Sequence, residues 1–470
     1  MPASDGTTLE VGRVPPNELL AALVAEAGLS NTGLASRVRD AARRDKKKSS
    51  ADHVSVSRWL AGGMPRPDTA VIISQVLSGK LGRPVSLSEL GFQATPGDGQ
   101  IDFAELGVKY PASSDTSVRL LAGISKADLA EEPAAQRLHW SSLASAGVIT
   151  SFLFSAPLDS PEADNGGSVV AKRIRDTVAH LAELDFKVGG GNARKLVLFY
   201  FGSEVVPALD RRYLESERRA VLGAASEVAQ LLGWTAYDSG RHGVAQRYFT
   251  QALRLAEEAR DRLLGGAILA NMSHQANYLG RHSDAVHLAR AAQSAVLASP
   301  VATVSSMFLS MEARALAASG NSKESVRAIR RAEEKFEARD VESDPDWIGY
   351  FDRSELAGEA VHCFRDLGHI KEARAFGQEA YSADAPVRTQ AFIGVVNASV
   401  ALKDGQLDEA AGLISKTMDL AAPVESRRYL QYLRDFHDAV VDQHGLDPRG
   451  RALVDQLIDH YPSLIQATTD

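Results

Sequence analysis

Along most of this chain apolar residues recur every three to four positions, a period that predicts helices rather than strands. Leu19, Leu20, Leu23, Val24 and Ala27 form one such stripe, and Gly28 follows as a natural C-terminal cap. A second helix, over 32–42 with Ser30 or Asn31 as its cap, places Leu34, Ala35 and Val38 on one face; small Ala35 lets a crossing helix come close. A third, capped by Asp52, turns Val56, Trp59 and Leu60 inward and leaves His53, Ser55, Ser57 and Arg58 on the outward side, before Gly62 and Gly63 end it. A helix over 69–79 follows Pro65, Arg66 and Pro67, and the polar, Gly/Pro-rich stretch 93–100 reads as a linker.

Farther on, a helix over 169–186 keeps Val170, Ile174, Val178, Leu181 and Leu184 in register, Gly189–Asn192 breaks it, and a more apolar helix is expected over 193–209. A glycine run ahead of Arg194 and Lys195 invites comparison with a phosphate cradle. No strand precedes it and no Gly-Lys-Ser/Thr ending follows, so it is read as an interhelical turn. From 224 to 422 the chain repeats. A glycine followed five residues later by a small residue recurs as Gly240/Ala245, Gly280/Ala285, Gly320/Ser325, Gly368/Ala373 and Gly405/Ala410, at spacings of 40, 40, 48 and 37 residues. The glycine permits a left-handed turn between two helices, and the small residue marks their close approach. Amphipathic helices around 429–441 and 451–460 are expected to cap the array. The fold class is all-α, divided into a free N-terminus (1–16), a head (17–92), a linker (93–112), a helical segment (113–223), repeats (224–422) and capping or dimerisation helices (423–470).

Stacked helix pairs leave a concave groove lined by the first helix of each unit. The positions expected to face it are Trp234 and Tyr237; Asn271, His274, Asn277 and Tyr278; Arg314; and His362 and Arg365. Asn271, His274 and Tyr278 share a face by spacing, and an asparagine amide offers an extended peptide both a donor and an acceptor. The plainer reading of any one of them is a packing aromatic or a satisfied structural histidine. The aromatic-rich stretch 345–351, at an expected helix start, reads as a clamp, a wedge between units or a dimer contact.

The runs GLSNTGLASRV and VSVSRWLAGGMPRP, with the helix after them, resemble the helix-turn-helix of the XRE/Cro-like repressors. The resemblance implies that the helix beginning at His53 enters the major groove of DNA by its N-terminal turns. On that footing Arg58 pairs with a guanine or a phosphate, Ser55, Ser57 and His53 reach base edges or phosphates, and Arg66 belongs with them. One departure is an insert of about ten residues before that helix, including Arg43, Arg44, Lys46, Lys47 and Lys48. It is either a solvated loop or an arm that contacts phosphates.

Leu232, Gly233, Ala236, Gly240, Ala245, Phe249, Ala252 and Leu253 match the tetratricopeptide (TPR) consensus, later units less closely. On SRWLAGGMPRP, GWTAYDSGRHGVAQRYFTQALRLAEEARD and WIGYFDRSELAGEAVHCFRDLG, the full layout resembles actinobacterial, Streptomyces-type helix-turn-helix/TPR regulators. In plan alone it is also similar to peptide-sensing regulators of Gram-positive bacteria. These resemblances imply a dimeric, cytoplasmic, nucleoid-associated repressor of developmental or secondary-metabolism genes, binding double-stranded DNA and sensing a peptide, metabolite or protein in its groove. The competing reading is a scaffold that binds a sigma factor, another regulator or a toxin, with the head only packing.

Composition narrows the picture. At 470 residues the chain exceeds one hydrophobic core. The net charge of −8 is uneven: residues 1–92 carry 12 Lys and Arg against 9 Asp and Glu, the remainder 40 against 51. A basic head on an acidic body is expected where only the head meets phosphate. Cys363 stands alone, which excludes an internal disulfide framework and a thiolate metal cage. The N-terminus lacks a basic and apolar leader pattern, and the longest apolar runs fall far below the ~18 residues that span a bilayer, so neither export nor membrane insertion is expected. With no nucleotide loop, metal-ligand cluster or catalytic triad in evidence, no enzymatic activity, cofactor or metal is expected.

Overall fold

A computed structural model describes residues 16–44, 50–81, 85, 89–92, 107–155, 168–188, 190–298, 300–421, 424 and 426–464. Lys46, Lys47 and Lys48 lie outside these, as do the linker 93–100 and the side chain of Arg44. Every regular element among the described residues is helical, and no single helix is long and apolar enough to cross a membrane. The chain divides into two units, residues 1–101 and 102–470.

The first unit holds α1 (Glu18–Glu26), α2 (Asn31–Arg44), α3 (His53–Leu60) and α4 (Pro67–Leu81). Its core joins Leu20, Leu23, Val24, Leu34, Ala35, Val38, Val56, Trp59, Ile73 and Leu77. Leu19, expected in the first stripe, is instead exposed, one position off the buried face. Ser30 caps α2, its hydroxyl accepting from the Gly33 amide at 3.1 Å, and Gly28 supplies the preceding left-handed turn. The second helix runs past its expected end at 42, so Arg43 lies within its last turn. Asp52 caps α3 through the Ser55 amide at 2.8 Å. Two further contacts fix α3: Arg39 on α2 donates to the Ala51 carbonyl, and the Asn17 amide donates to Leu60 at 2.9 Å.

The second unit opens with α5 (Ser114–Leu129), α6 (Pro133–Gln136), α7 (Ser142–Ser155), α8 (Val169–Val188) and α9 (Gly190–Tyr200). A π-helical turn, Phe201–Val205, then leads to α10 (Val206–Leu209). The single helix expected over 193–209 is thus corrected: it begins within the glycine run and is widened mid-way. Pro207 has no N–H to donate and its ring crowds the carbonyl one turn back, which accounts for the wider turn.

Six helix pairs follow: α11 (Glu215–Asp238) with α12 (His242–Glu258), α13 (Arg262–Tyr278) with α14 (His282–Ala295), α15 (Ala302–Ala318) with α16 (Ser322–Glu337), α17 (Arg353–Asp366) with α18 (Ile370–Ala380), α19 (Val387–Lys403) with α20 (Leu407–Ala421), and α21 (Arg427–His444) with α22 (Pro448–His460). The first helices contact one another in succession, α11 to α13 and on to α21. All five repeat glycines adopt positive φ, between 70° and 77°. At each, the glycine amide bonds back to a carbonyl three residues earlier and the next amide to one five residues earlier, as in Gly240 to Tyr237 and Arg241 to Ala236. Arg260 makes the same turn after α12 with φ of 61°, a place no glycine marks. The long 48-residue spacing is taken up by two 3-10 turns, Val341–Ser343 and Asp346–Ile348, ahead of α17. The stretch 345–351 is therefore not a helix start; Ile348 and Phe351 are buried in it.

Packing within the first pair depends on Gly233, where an added Cβ would meet the Phe249 ring at 2.6 Å. Phe249 is fully buried and has no room to move aside. Gly233→Ala is expected to cost about 1–3 kcal/mol by overpacking, read as a lower urea midpoint. An unchanged midpoint would contradict this packing.

Candidate functional site

In the head, the residues singled out on α3 separate by role. Val56 and Trp59 are buried, while His53, Ser57 and Arg58 are exposed. The Arg58 carbonyl accepts from the Gly63 amide at 2.8 Å, whereas its exposed guanidinium makes no hydrogen bond or ion pair among the described residues. Ser55 is half-buried, and its hydroxyl donates to Asp52 at 2.7 Å. These Ser55 bonds hold the Asp52 carboxyl below the usual carboxylate range and make Ser55 a capping residue. The Ser57 hydroxyl donates to the His53 carbonyl at 3.0 Å and accepts from the Asn31 side chain at 3.1 Å, tying the start of α2 to α3. Arg43 is exposed and pairs with Asp40 at 3.5 Å, a surface pair of little strength. Arg66 is exposed. Sequence reasoning passed over Val54, on this flank, and Met64, just after the helix, both apolar residues left in solvent. Their signal was that neither belongs to the inward stripe.

In the body, most of the side chains expected to line a groove are drawn together on the inner face of the array and are partly or fully covered. The reason lies at Asp238, the last residue of α11. Its Oδ1 accepts from Arg388 on α19 at 2.7 Å, from the hydroxyl of Ser426 at 2.9 Å and from Arg428 on α21 at 3.3 Å. The last pairs thereby return to the first, and α19 also packs against α8. Arg428 lies over the rings of Phe392, Trp234 and Tyr237, at 4.4, 5.2 and 5.6 Å.

Tyr237, His274 and His362 are buried on this inner face, whereas Trp234, Asn271, Asn277, Tyr278, Arg314 and Arg365 are partly covered. Arg314 donates to the His274 Nε2 at 3.1 Å, to Glu359 at 2.9 Å and to the Tyr432 hydroxyl at 3.4 Å. An arginine can only donate, so His274 accepts at Nε2 and carries its proton on Nδ1, 2.9 Å from the Tyr237 oxygen. Burial and then the nearby arginines push the His274 pKa well down, which keeps the ring in this neutral form. Asn277 is taken up by His282 at 2.9 Å and Arg365 by Asp366 at 2.7 Å, so neither reaches into the cluster through these bonds. Asn271 makes no side-chain hydrogen bond among the described residues.

Asp185, Asp238, Arg388, Phe392, Arg428 and Tyr432 were missed from sequence. The stripe Arg428, Tyr432 and Asp435, flanking the apolar stripe Tyr429, Leu433, Phe436 and Val440 on α21, was the available signal.

Two acids here titrate near neutrality. Burial pushes the Asp185 carboxyl up to about 6, with Arg388 opposing. Burial, then the neighbouring Glu359 and Asp352, push Glu355 up to about 7. Unfolded carboxyls titrate near ~4, so the folded chain retains protons that the unfolded chain has lost between about pH 4 and 7. Their stabilising contribution is full below that window and is lost as pH rises through it. Asp185→Asn with Glu355→Gln should therefore flatten the fall in stability from pH 5 to pH 8, by on the order of 1–3 kcal/mol in urea unfolding. An unaltered slope would contradict the assignment.

The fold and these sites define a class: an all-helical chain made of a small head, with four helices among its described residues, and a larger body of repeated helix pairs. Residues 20–93, covering nearly all of the head, match the family described as the SP15 N-terminal domain. No curated protein matches the chain.

Proposed function

We propose that the chain is a sequence-specific, DNA-binding regulator of transcription that acts as a dimer. The head is read as a helix-turn-helix with α3 as its recognition helix, and the body as a TPR-like array that senses a ligand on its inner face. The carrying observation is the outward flank of α3, where His53, Val54, Ser57 and Arg58 stand in solvent while Val56 and Trp59 anchor the helix.

With α3 in a major groove, Arg58 forms a bidentate pair with guanine, and Val54 packs against a thymine methyl group. His53 donates to a base edge or phosphate. Ser57, whose proton is already engaged, has a lone pair left to accept from a base amino group. Arg43 and Arg66, with Arg44, Lys46, Lys47 and Lys48 of the insert, neutralise phosphates and add affinity without reading sequence. Dimerisation follows because one short helix reads too few base pairs for useful specificity. A ligand changes DNA binding only by favouring one arrangement of the heads over another. The resemblance to actinobacterial regulators supports a repressor of developmental or secondary-metabolism genes.

Selection of random duplexes by the full-length chain tests the reading. The expected result is enrichment of inverted half-sites whose centres lie about one helical turn, or a multiple of it, apart. Recovery of a pool no different from the starting library would remove it.

A further inference from the structure

We propose that the inner face of the array recognises an arginine side chain of a partner protein segment, received in the place now filled by the guanidinium of Arg428. The inference rests on the reading of the inner face as ligand-receptive, and independently of DNA.

The seat itself identifies the chemistry. A guanidinium is planar, weakly hydrated and permanently charged, so it is recognised by aromatic faces together with a carboxylate. Phe392, Trp234 and Tyr237 supply the faces and Asp238 the carboxylate. The occupant is the chain's own Arg428, only 8% exposed.

Near the seat stand carboxyl oxygens that the resident arginines do not satisfy, together with one unpartnered arginine donor, the Nε of Arg388. Arg314 is committed to Glu359, and Arg388 shares the Asp238 Oδ1 with Arg428. Asp185 sits close enough to feel both Arg388 and Arg428, yet its Oδ1 has no partner among the described residues, although the residue is only 2% exposed. The Glu355 carboxylate also feels both arginines and makes no hydrogen bond among the described residues. An entering guanidinium therefore meets unused carboxylate oxygens as well as the aromatic seat.

The self-contact is also suited to exchange. Successive pairs are joined by apolar clusters, and Tyr429, Leu433, Phe436 and Val440 hold α21 in one of them. The seam from Asp238 to Arg388 and Arg428 is ionic, and burying such a pair costs desolvation that offsets much of its attraction. Arg428 can thus yield its seat while α21 stays packed. Arg428 is to this extent a tethered stand-in for the partner's side chain.

Calorimetric titration of the full-length chain with a blocked Ala-Arg-Ala peptide, and with its citrulline and lysine counterparts, tests the proposal. In Arg428→Ala the arginine peptide should bind at least ten-fold more tightly than in the unaltered chain, because the tethered competitor is gone. Binding should be lost in the Asp238→Asn/Arg428→Ala double variant, and the neutral citrulline peptide should not bind. Equal binding of the arginine and citrulline peptides, or of the arginine and lysine peptides, would overturn the proposal, as would no gain in Arg428→Ala. If Arg428→Ala does not fold, the unaltered chain still decides. Saturating arginine peptide should speed amide hydrogen exchange at the start of α21, and unchanged exchange there would count against the seat. Failure of the duplex selection with positive peptide binding would leave a receptor without DNA binding; the reverse would leave a DNA-binding chain without this seat.

Discussion

Arg58→Ala is expected to lower the affinity of the full-length chain for its selected duplex by about ten- to a hundred-fold, roughly 1–3 kcal/mol, and to relax selectivity at one base pair of each half-site. The size of the effect follows from geometry: the Arg58 guanidinium is exposed, bonded to nothing among the described residues, and carried on a helix anchored by Val56 and Trp59. Its loss should leave stability within about 0.5 kcal/mol, as for other surface substitutions. Arg58→Lys keeps the charge but loses the planar fork, so selectivity should fall more than overall affinity. Arg43→Ala and Arg66→Ala should behave differently, weakening all sequences alike and reducing the salt dependence by about one unit each. Anisotropy titrations over a series of salt concentrations separate the two patterns. Equal losses on every sequence for Arg58→Ala would assign it to phosphate rather than to a base.

Asp128→Ala should give the largest loss of stability, about 3–5 kcal/mol. Asp128 is fully buried at the end of α5 and accepts from Arg194 at 2.7 Å, Arg241 at 3.0 Å and the Tyr248 hydroxyl at 3.2 Å. It joins α5, α9, the turn after α11 and α12 at one point. Removing the carboxylate leaves Arg194, itself buried, with a charge it cannot hand to solvent. The cost is that of an uncompensated buried ion rather than of one lost bond. Urea unfolding followed by helical circular dichroism measures it, and a loss under about 1 kcal/mol would show that these groups find water or another partner.

Many helix positions were legible in the sequence because certain residue types mark a boundary, glycine by its backbone freedom and capping residues by their side chains. Gly240, Gly280, Gly320, Gly368 and Gly405 could be aligned unaided, since only glycine takes a left-handed turn without strain. Arg260 escaped for the same reason reversed: it makes that turn without being glycine. Asp52 was readable as a cap from side-chain chemistry alone, and the second helix's cap was narrowed to Ser30 or Asn31, of which Ser30 is the one used. In the head, outward and inward sides of α3 followed from spacing, but the engagement of Ser55 in capping and of Ser57 with Asn31 depends on rotamers and on α2, which periodicity does not contain. The inner face was half legible. Tyr237, His274, Arg314 and His362 do converge, because they occupy equivalent faces of successive first helices. That they meet Arg388, Arg428 and Tyr432 depends on the curvature accumulated over six pairs. Small rotations at each pair decide it, and no single pair of residues encodes them. Contacts such as Asp238 with Arg428 span 190 residues and leave no local trace.

The central claim is that the head reads base sequence. It is tested most directly by comparing the affinity of the full-length chain for a selected duplex with that for a scrambled duplex of equal length and composition, at physiological salt. A preference of about a thousand-fold or more for the selected duplex is the predicted result. Equal affinities for the two would contradict it.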